Sequence, residues 1–464
     1  MKDRIYIKKI KINTCAEKTF AWHERQGAVL RLTPPWISLK PVSGTGRGLD
    51  MGVKITFKVK IFTIPVKWES EHIEYIKNEL FRDRQLKGPF ALWDHTHRFI
   101  KQTESTCIME DYIIYRLPFG FLTAPFHRFA QSELERMFTY RHNILKYDLE
   151  NNMSRVSGRQ ILVSGASGLI GNALVPFLQT CGYKVLRLVR HKKNLEEDEI
   201  YWDPYAKEPD LAGAGKIDAV INLNGLDISR GRWTQEHKKR IMDSRLIPTR
   251  VLVKAIKRLQ HAPSVFISAS ATGYYGDAED TVLTEESDMG DLFISRLCYH
   301  WERAASLGLP EATRPVQLRT GIVLTPAGGA LKRMLPVFRA GAGVRIGHGR
   351  QYMSWISMED LLYAVLHILN TEQIRGPVNL TAPAPVTNAL FSEALASVSG
   401  GKVLFCLPAP IVRILWGQMG KETLLASARV TPEKLLSTGF SFRHETIIQG
   451  LREMLGRYRQ ERWT

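Results

Sequence analysis

The stretch Ile161-Leu-Val-Ser-Gly-Ala-Ser-Gly-Leu-Ile-Gly171 sets an apolar strand directly against glycines at 165, 168 and 171, and it constrains the fold more than any other part of the chain. A strand ending at Ser164 has to turn sharply, and Gly165 permits that turn. Gly168 removes a side chain where a pyrophosphate approaches the backbone, and Gly171 lets the following helix, expected over Leu169 to Thr180, pack close on the sheet. The free N–H groups and positive dipole end of that helix face the phosphates. Such a glycine triplet is common by itself. Between a strand and a helix it predicts a dinucleotide pocket, with Gly165, Ser167, Gly168, Leu169, Ile170 and Gly171 around the phosphates.

A second strand, Lys184 to Val189, ends at Arg190 with His191, Lys192 and Lys193 behind it, and the first acid after it is Glu196. An NAD site usually places a carboxylate here for the ribose 2′-OH, whereas an NADP site places a base near the 2′-phosphate. The run therefore predicts NADP(H) with Arg190 on that phosphate; a solvated cationic strand end is the competing account. Strand and helix then alternate: strand Ala219 to Leu223, helix Thr234 to Leu259 interrupted near Pro248, strand Val265 to Ser268, helix Leu292 to Leu307, strand Val316 to Leu318. That alternation predicts an α/β Rossmann-type, doubly wound parallel sheet. The carboxyl ends of its strands would set Asn222 to Gly225, Ser268 to Ser270 and Arg319 to Val323 around the ligand. After Asp360 come an apolar helix through Leu369, a short strand near Val378 to Leu380 and a helical tail expected to build the substrate side. Gly341, Gly343, Gly347 and Gly349 suggest a flexible rim carrying Arg345, His348, Arg350 and Gln351 toward a polar substrate, or a plain surface loop.

A chain of 464 residues is too long for one ordinary core. No apolar run approaches the ~20 residues that span a bilayer, and Met-Lys-Asp-Arg-Ile-Tyr lacks a signal-peptide core, so a cytoplasmic protein with no membrane span is expected. The five cysteines are scattered and odd in number, which indicates neither a disulfide framework nor a zinc motif. The net charge of +18 divides almost evenly between residues 1–150 and the remainder, in short runs without interleaved aromatics. Nucleic-acid binding is not expected.

The polar stretch Asn151 to Arg159 separates two regimes and reads as a linker. The expected organisation is a ligand-binding domain over 1–150, the linker 151–159, a nucleotide domain over 160–385 and a helical capping region over 386–464. Within 1–150, strand-like segments at Lys54 to Ile61, His97 to Ile100 and Cys107 to Tyr115 precede a long helical stretch from Pro125 to Leu149. Many strands closed by one amphipathic helix suggest a sheet curled around that helix. His95 and His97 share one strand face, with Asp94 and Asp111 nearby, but no third ligand has convincing spacing, so histidine packing is preferred and no metal is predicted.

Arg31 to Trp36, Phe81 to Phe90, Trp93-Asp-His-Thr-His97 and Asp111 to Gly120 together resemble the START-like, or polyketide-cyclase-like, helix-grip module. That resemblance implies an α+β domain holding a hydrophobic small molecule. Gly165 to Gly171, Asn222 to Gly225, Asp243-Ser-Arg245, Ser268 to Gly276 and Trp301-Glu302 resemble the extended, atypical short-chain dehydrogenase/reductase group. Within it the match is to the epimerase-family branch, which is nucleotide-sugar-epimerase-like and also carries a cell-division-inhibitor label. Gly347 to Gln351, Ser354 to Ile356, Asp360 and the DUF1731-like tail from Leu424 to Phe440 extend the resemblance to about 160–460. It implies NADP(H) contacts at Arg190, Leu223, Asn224, Gly225, Arg245 and Val323, a small-molecule substrate and a homodimer. The residue-level alternative for Arg245 is a helix-surface charge.

The chemistry departs from that pattern. In the superfamily a Ser positions the substrate oxygen, a Tyr exchanges its proton, and a Lys one helical turn on lowers the tyrosine pKa. Ser270 can take the first role. No lysine occurs between Lys257 and Lys332, and aligning Glu302 with the family's glutamate puts Ile294 and Cys298 at the Tyr and Lys places. Tyr274, beside Tyr275, is the candidate donor; Tyr299 with Arg303 is a second pair at i, i+4 spacing. Two classes stay open: an NADP(H)-dependent oxidoreductase or epimerase with a nonstandard proton donor, and a non-catalytic NADP(H)-sensing or regulatory protein.

Overall fold

The computed structural model describes residues 3–44, 48–61, 64–119, 125–151 and 158–458. Contacts divide the chain into one unit of Met1–Gly158, Pro176–Tyr183 and Gly456–Thr464, and a second of Arg159–Val175 and Lys184–Leu455. Residues 386–455 thus cluster with the nucleotide-type unit. Gly120 and most of the expected linker, residues 152–157, lie outside the described residues.

The first unit holds a seven-stranded antiparallel sheet of β1 (Arg4–Ile12), β2 (Leu39–Gly44), β3 (Lys54–Ile61), β4 (Ile64–Ile76), β5 (Leu80–Lys87), β6 (Leu92–Lys101) and β7 (Cys107–Arg116), in the order β1-β7-β6-β5-β4-β3-β2. Two short helices, α1 (Ala16–His23) and α2 (Ala28–Arg31), follow β1, and α3 (His127–Glu150) follows β7. Strand alternation explains the inner face: Cys107, Met109, Asp111, Ile113 and Tyr115 of β7 are all buried, as are Trp93, His95, His97 and Phe99 of β6. Helix α3 supplies Leu134, Phe138, Ile144 and Leu145 to the same core. β6 begins at Leu92, earlier than expected, because its alternation runs through the histidines. Strands β1, β4 and β5 escaped sequence reading because charged side chains along them mask the period. An antiparallel sheet covered by helices is what residues 3–151 establish; the START-like assignment is finer than that.

The second unit is built on a parallel sheet: β8 (Gln160–Ser164), β9 (Lys184–Val189), β10 (Glu199–Tyr201), β11 (Ala219–Asn222), β12 (Val265–Ala271), β14 (Arg314–Thr320) and β19 (Gly376–Leu380), in the order β10-β9-β8-β11-β12-β14-β19. The order reverses between β8 and β11, and in open parallel sheets that crevice is where ligands bind. The helices flanking it are α4 (Gly171–Thr180), α5 (Gln235–Lys257), α6 (Phe293–Ser306), α7 (Gly329–Arg339) and α8 (Met358–Asn370). Short strands complete the unit: β13 (Val282–Leu283), β15 (Ile322–Leu324), β16 (Ala342–Ile346), β17 (Tyr352–Met353) and β18 (Trp355–Ser357). Among the described residues no helix is long and apolar enough to cross a membrane.

Three expectations need correction. Helix α4 starts at Gly171, not Leu169, because residues 165–170 form a tight turn in which Gly168 N–H donates to the Gly165 carbonyl at 3.0 Å. Pro248 does not interrupt α5, and Thr249 Oγ1 donates to the Arg245 carbonyl at 2.6 Å within the same turn. The glycine rim is ordered by pairing: β16 runs parallel to Lys402–Leu407, and Gln351 is buried, donating to the Ile346 and Leu424 carbonyls at 3.0 and 3.2 Å. Gln351 therefore holds the rim and does not face a substrate.

Candidate cofactor and catalytic site

Gly165 leaves β8 at φ +75°, where a side chain is strained, and a Cβ there would lie 2.6 Å from the Leu223 carbonyl oxygen. A Cβ on Gly171 would lie 2.4 Å from the Gly165 carbonyl oxygen. Gly168 differs: a Cβ there would meet only the Gly165 oxygen, at 3.2 Å, with open space beyond. Two glycines thus close the turn and the middle one keeps a shallow cradle clear, which is the fit a pyrophosphate requires. Ser167 and Gly168 are exposed, Ile170 is half-buried, and Leu169 packs toward Gly328, whose Cβ would lie 2.7 Å from Leu169 Cδ1. This brings the segment just before α7 to the glycine turn, while Val323 is half-buried in β15.

Across the switch point the end of β11 is clamped by a buried polar network. Ser164 Oγ donates to Asn222 Oδ1 at 2.9 Å and accepts from Asn224 Nδ2 at 2.8 Å. Asn222 Nδ2 in turn donates to Thr249 Oγ1 at 2.8 Å, and Leu223 N–H to the Ser164 carbonyl at 3.0 Å. Asn224 and Leu223 are thereby fixed beside the glycine turn. Thr249 was not anticipated; a hydroxyl in an apolar helical stretch was the available signal.

Arg245 is a buried residue, so the helix-surface account fails. Its guanidinium donates to the Leu226 carbonyl at 2.9 Å and lies 5.2 Å over the Trp301 ring, and a Cβ on Gly225 would sit 3.2 Å from its Cζ. Burial lowers its pKa to about 10, and among the described residues no carboxylate forms an ion pair with it. The guanidinium also donates to the Ile241 carbonyl and to Ser244 Oγ, both at 3.1 Å. Arg190 is exposed directly after β9. Three acids beyond β9 are taken by Arg187, which pairs with Glu196, Asp198 and Glu199 at 2.6–3.1 Å, and His191 lies 3.3 Å from Glu199.

The catalytic side departs from the superfamily pattern in side-chain detail. Ile294 and Cys298 of α6 are buried, and the Cys298 thiol is pushed up to about 12 by burial and then by Glu302. Ile294 has no ionisable group, and burial keeps the Cys298 thiol protonated at neutral pH. Instead, Ser270 Oγ donates to Glu302 Oε1 at 2.6 Å, and Arg319 from β14 grips both Glu302 oxygens at 2.9 Å. Arg319 also donates to Tyr275 Oη at 3.0 Å and stacks 3.5 Å from the Tyr274 ring centroid. Tyr275 donates onward to Asn379 Oδ1 at 2.6 Å. Burial raises the Tyr274 pKa, with Arg319 opposing it. Ser270, Tyr274 and Glu302 therefore meet around a buried guanidinium. Arg319 was placed near the ligand from sequence, but its pairing was missed; a charge inside the strand Val316-Gln-Leu-Arg was the available signal. Tyr299 and Arg303 do meet, at 3.2 Å, on an exposed face of α6 outside this network.

Comparison with known proteins bears on the fold and its nucleotide pocket. Residues 161–380 match the NAD dependent epimerase/dehydratase family, and residues 407–454 match a domain of unknown function, DUF1731. An epimerase family protein of Mycobacterium bovis is 41% identical over 291 residues, which is 63% of this chain and 96% of that protein. The crystal structure of a human epimerase family protein with NADPH is similar over 64% of this chain and 98% of that one, at 32% identity and a TM-score of 0.58. A structure described as the nucleoside-diphosphate sugar epimerase of Corynebacterium glutamicum is similar over 97% of this chain and 90% of that one, at 30% identity and a TM-score of 0.79.

Proposed function

We propose that this chain, which belongs to the NAD dependent epimerase/dehydratase family with a DUF1731 C-terminus, is an NADP(H)-dependent oxidoreductase or epimerase of a small-molecule substrate. Gly165, Ser167, Gly168, Leu169, Ile170 and Gly171 hold the pyrophosphate. Arg190 takes the 2′-phosphate, and Arg245 supplies a second, buried cation beside Leu223, Asn224 and Gly225. Val323 borders the nicotinamide side. Bound there, the nicotinamide accepts or donates hydride.

The observation that carries the catalytic part is the Arg319 guanidinium against Tyr274, because it supplies the cation that a lysine at position 298 would have supplied. Burial keeps the Tyr274 hydroxyl protonated, so it serves as a proton donor to a developing alkoxide. The Ser270 proton is committed to Glu302, which leaves its oxygen to accept a hydrogen bond from a substrate hydroxyl. NADPH oxidation is to be screened over carbonyl compounds and nucleotide sugars. Turnover abolished in Tyr274→Phe and kept in Tyr299→Phe supports the assignment; the reverse pattern refutes it.

A second reading, an NADP(H)-sensing protein without turnover, is favoured by Ile294 and Cys298 at the two places where proton chemistry is usual. Nucleotide binding with no turnover across the screen selects it. The first unit belongs to the same proposal as a START-like module for a hydrophobic small molecule, supported by the antiparallel sheet closed with α3. Mass spectrometry of small molecules co-purifying with the full chain tests that part.

A further inference from the structure

The first unit carries a cluster of ionisable groups that the proposed oxidoreduction does not use. β6 presents His95 and His97 on its inner face, between Asp83 of β5, which is opposite His95, and Asp111 of β7, which is opposite His97. Asp111 Oδ1 lies 2.8 Å from His95 Nε2, and also 2.8 Å from His97 Nδ1, there off the N–H axis. Its Oδ2 lies 2.6 Å from His142 Nε2 of α3. Asp111 thus hydrogen-bonds His95 Nε2 and lies beside His97 Nδ1, while His95 Nδ1 and His97 Nε2 are the nitrogens nearest Asp83.

The distances on that side are informative. Asp83 Oδ1 is 3.6 Å from His95 Nδ1 and 3.7 Å from His97 Nε2, beyond hydrogen bonding, while the donor atoms of the three residues all lie within 4.8 Å of one another. Two donors bonded to one tetrahedral ion at about 2.0–2.1 Å stand about 3.3–3.4 Å apart. The gaps are thus close to those an ion bridges. Two more buried rings border the cluster with nitrogens lacking a hydrogen-bond partner: His72 Nδ1, on the residue opposite Asp83 in β4, and His23 Nε2, whose ring centroid is 6.1 Å from that of His97.

We infer that Asp83, His95 and His97 form a binding site for a divalent first-row transition metal such as Zn²⁺, with Asp111 as the outer carboxylate that orients His95 and lies against His97. A 2+ ion balances Asp83 and Asp111 with neutral imidazoles, and carboxylate–histidine–metal relays are the usual support for such ligands. The His95 and His97 side chains are each 4% exposed, whereas that of Asp83 is 17% exposed, which gives the ion a way in. Three protein ligands leave a coordination position for water or for a small molecule with an oxygen donor. The sequence offered Asp94 and Asp111 as the available carboxylates and no metal was predicted; Asp94 is occupied by Arg82 and Arg84 at 2.6–3.2 Å, and the third ligand comes from the neighbouring strand.

The test uses the full chain stripped with a chelator and titrated with Zn²⁺ and with Co²⁺, with Mg²⁺ as control. Expected are one Zn²⁺ or Co²⁺ per chain by elemental analysis, cobalt d–d bands without a thiolate charge-transfer band, and a raised melting temperature. Asp83→Asn and His95→Ala should each abolish stoichiometric binding, and Asp111→Asn should weaken it about 10–100-fold. Retained circular dichroism in Asp83→Asn, which preserves side-chain shape, separates a lost ligand from a lost fold. Substoichiometric metal in the wild-type chain, binding unchanged in Asp83→Asn, or a thiolate band placing cobalt on cysteine would each overturn the assignment.

Discussion

The two sides of the parallel sheet's carboxyl edge solve their problems differently. Around β8 and β11 the site is made mainly by backbone: a left-handed Gly165, a close-packed Gly171, an open Gly168 and a Leu223 N–H bonded to the Ser164 carbonyl, braced by the Asn222 and Asn224 side chains. Around β12, β14 and α6 it is made by side chains that meet from distant positions, Ser270, Glu302, Tyr274 and Arg319. Backbone geometry leaves little freedom to replace a residue. A cation, by contrast, can come from any element that reaches the same point, and Arg319 of β14 is the cation that stacks on Tyr274.

The largest effect that separates the two sides should come from Arg319→Met. Its side chain is 4% exposed and paired with Glu302, so removal strips a largely buried carboxylate of its cation and should cost about 3 kcal/mol in denaturant melts. A cost under about 1 kcal/mol, the value of a surface pair, would mean that the network does not organise this side. The glycines come next. Gly171→Ala forces a methyl onto the Gly165 carbonyl and should lose about 1–3 kcal/mol of stability. Gly168→Ala should leave the melt nearly unchanged and yet weaken NADPH binding, because its methyl enters the cradle. If both variants behave alike, the division between packing glycine and cradle glycine is wrong.

A smaller effect concerns pH. With its pKa raised by burial, Tyr274 stays protonated from neutral through mildly alkaline conditions, and ionises only above the ordinary tyrosine range. Single-turnover NADPH oxidation should therefore show no tyrosine-dependent inflection across that interval. An inflection below the ordinary tyrosine value that vanishes in Tyr274→Phe would show that Arg319 overcomes burial.

The same division explains what sequence could reveal. Strand, glycine and helix spacing identified β8, the turn and α4, and the basic end of β9 pointed to Arg190, because each signal is local. Arg245 was found through resemblance; its burial against Trp301 depends on a helix folding back over β11. The Arg319–Glu302 pair and the approach of Asp83 to His95 and His97 were not legible, since strand register and helix packing create them. Ile294 and Cys298, which the resemblance puts at the Tyr and Lys places, are buried, and the stacking of Arg319 on Tyr274 was not foreseen.

The claim that most depends on a single side chain is the NADP preference, which rests on Arg190. Competitive fluorescence titration of the full chain and of Arg190→Ala with NADPH and NADH measures it directly. NADPH should bind the natural chain about tenfold or more tightly, equivalent to about 1.4 kcal/mol, and Arg190→Ala should remove that preference while leaving NADH affinity in place. Equal affinities in the natural chain, or a preference untouched by the substitution, would contradict the account.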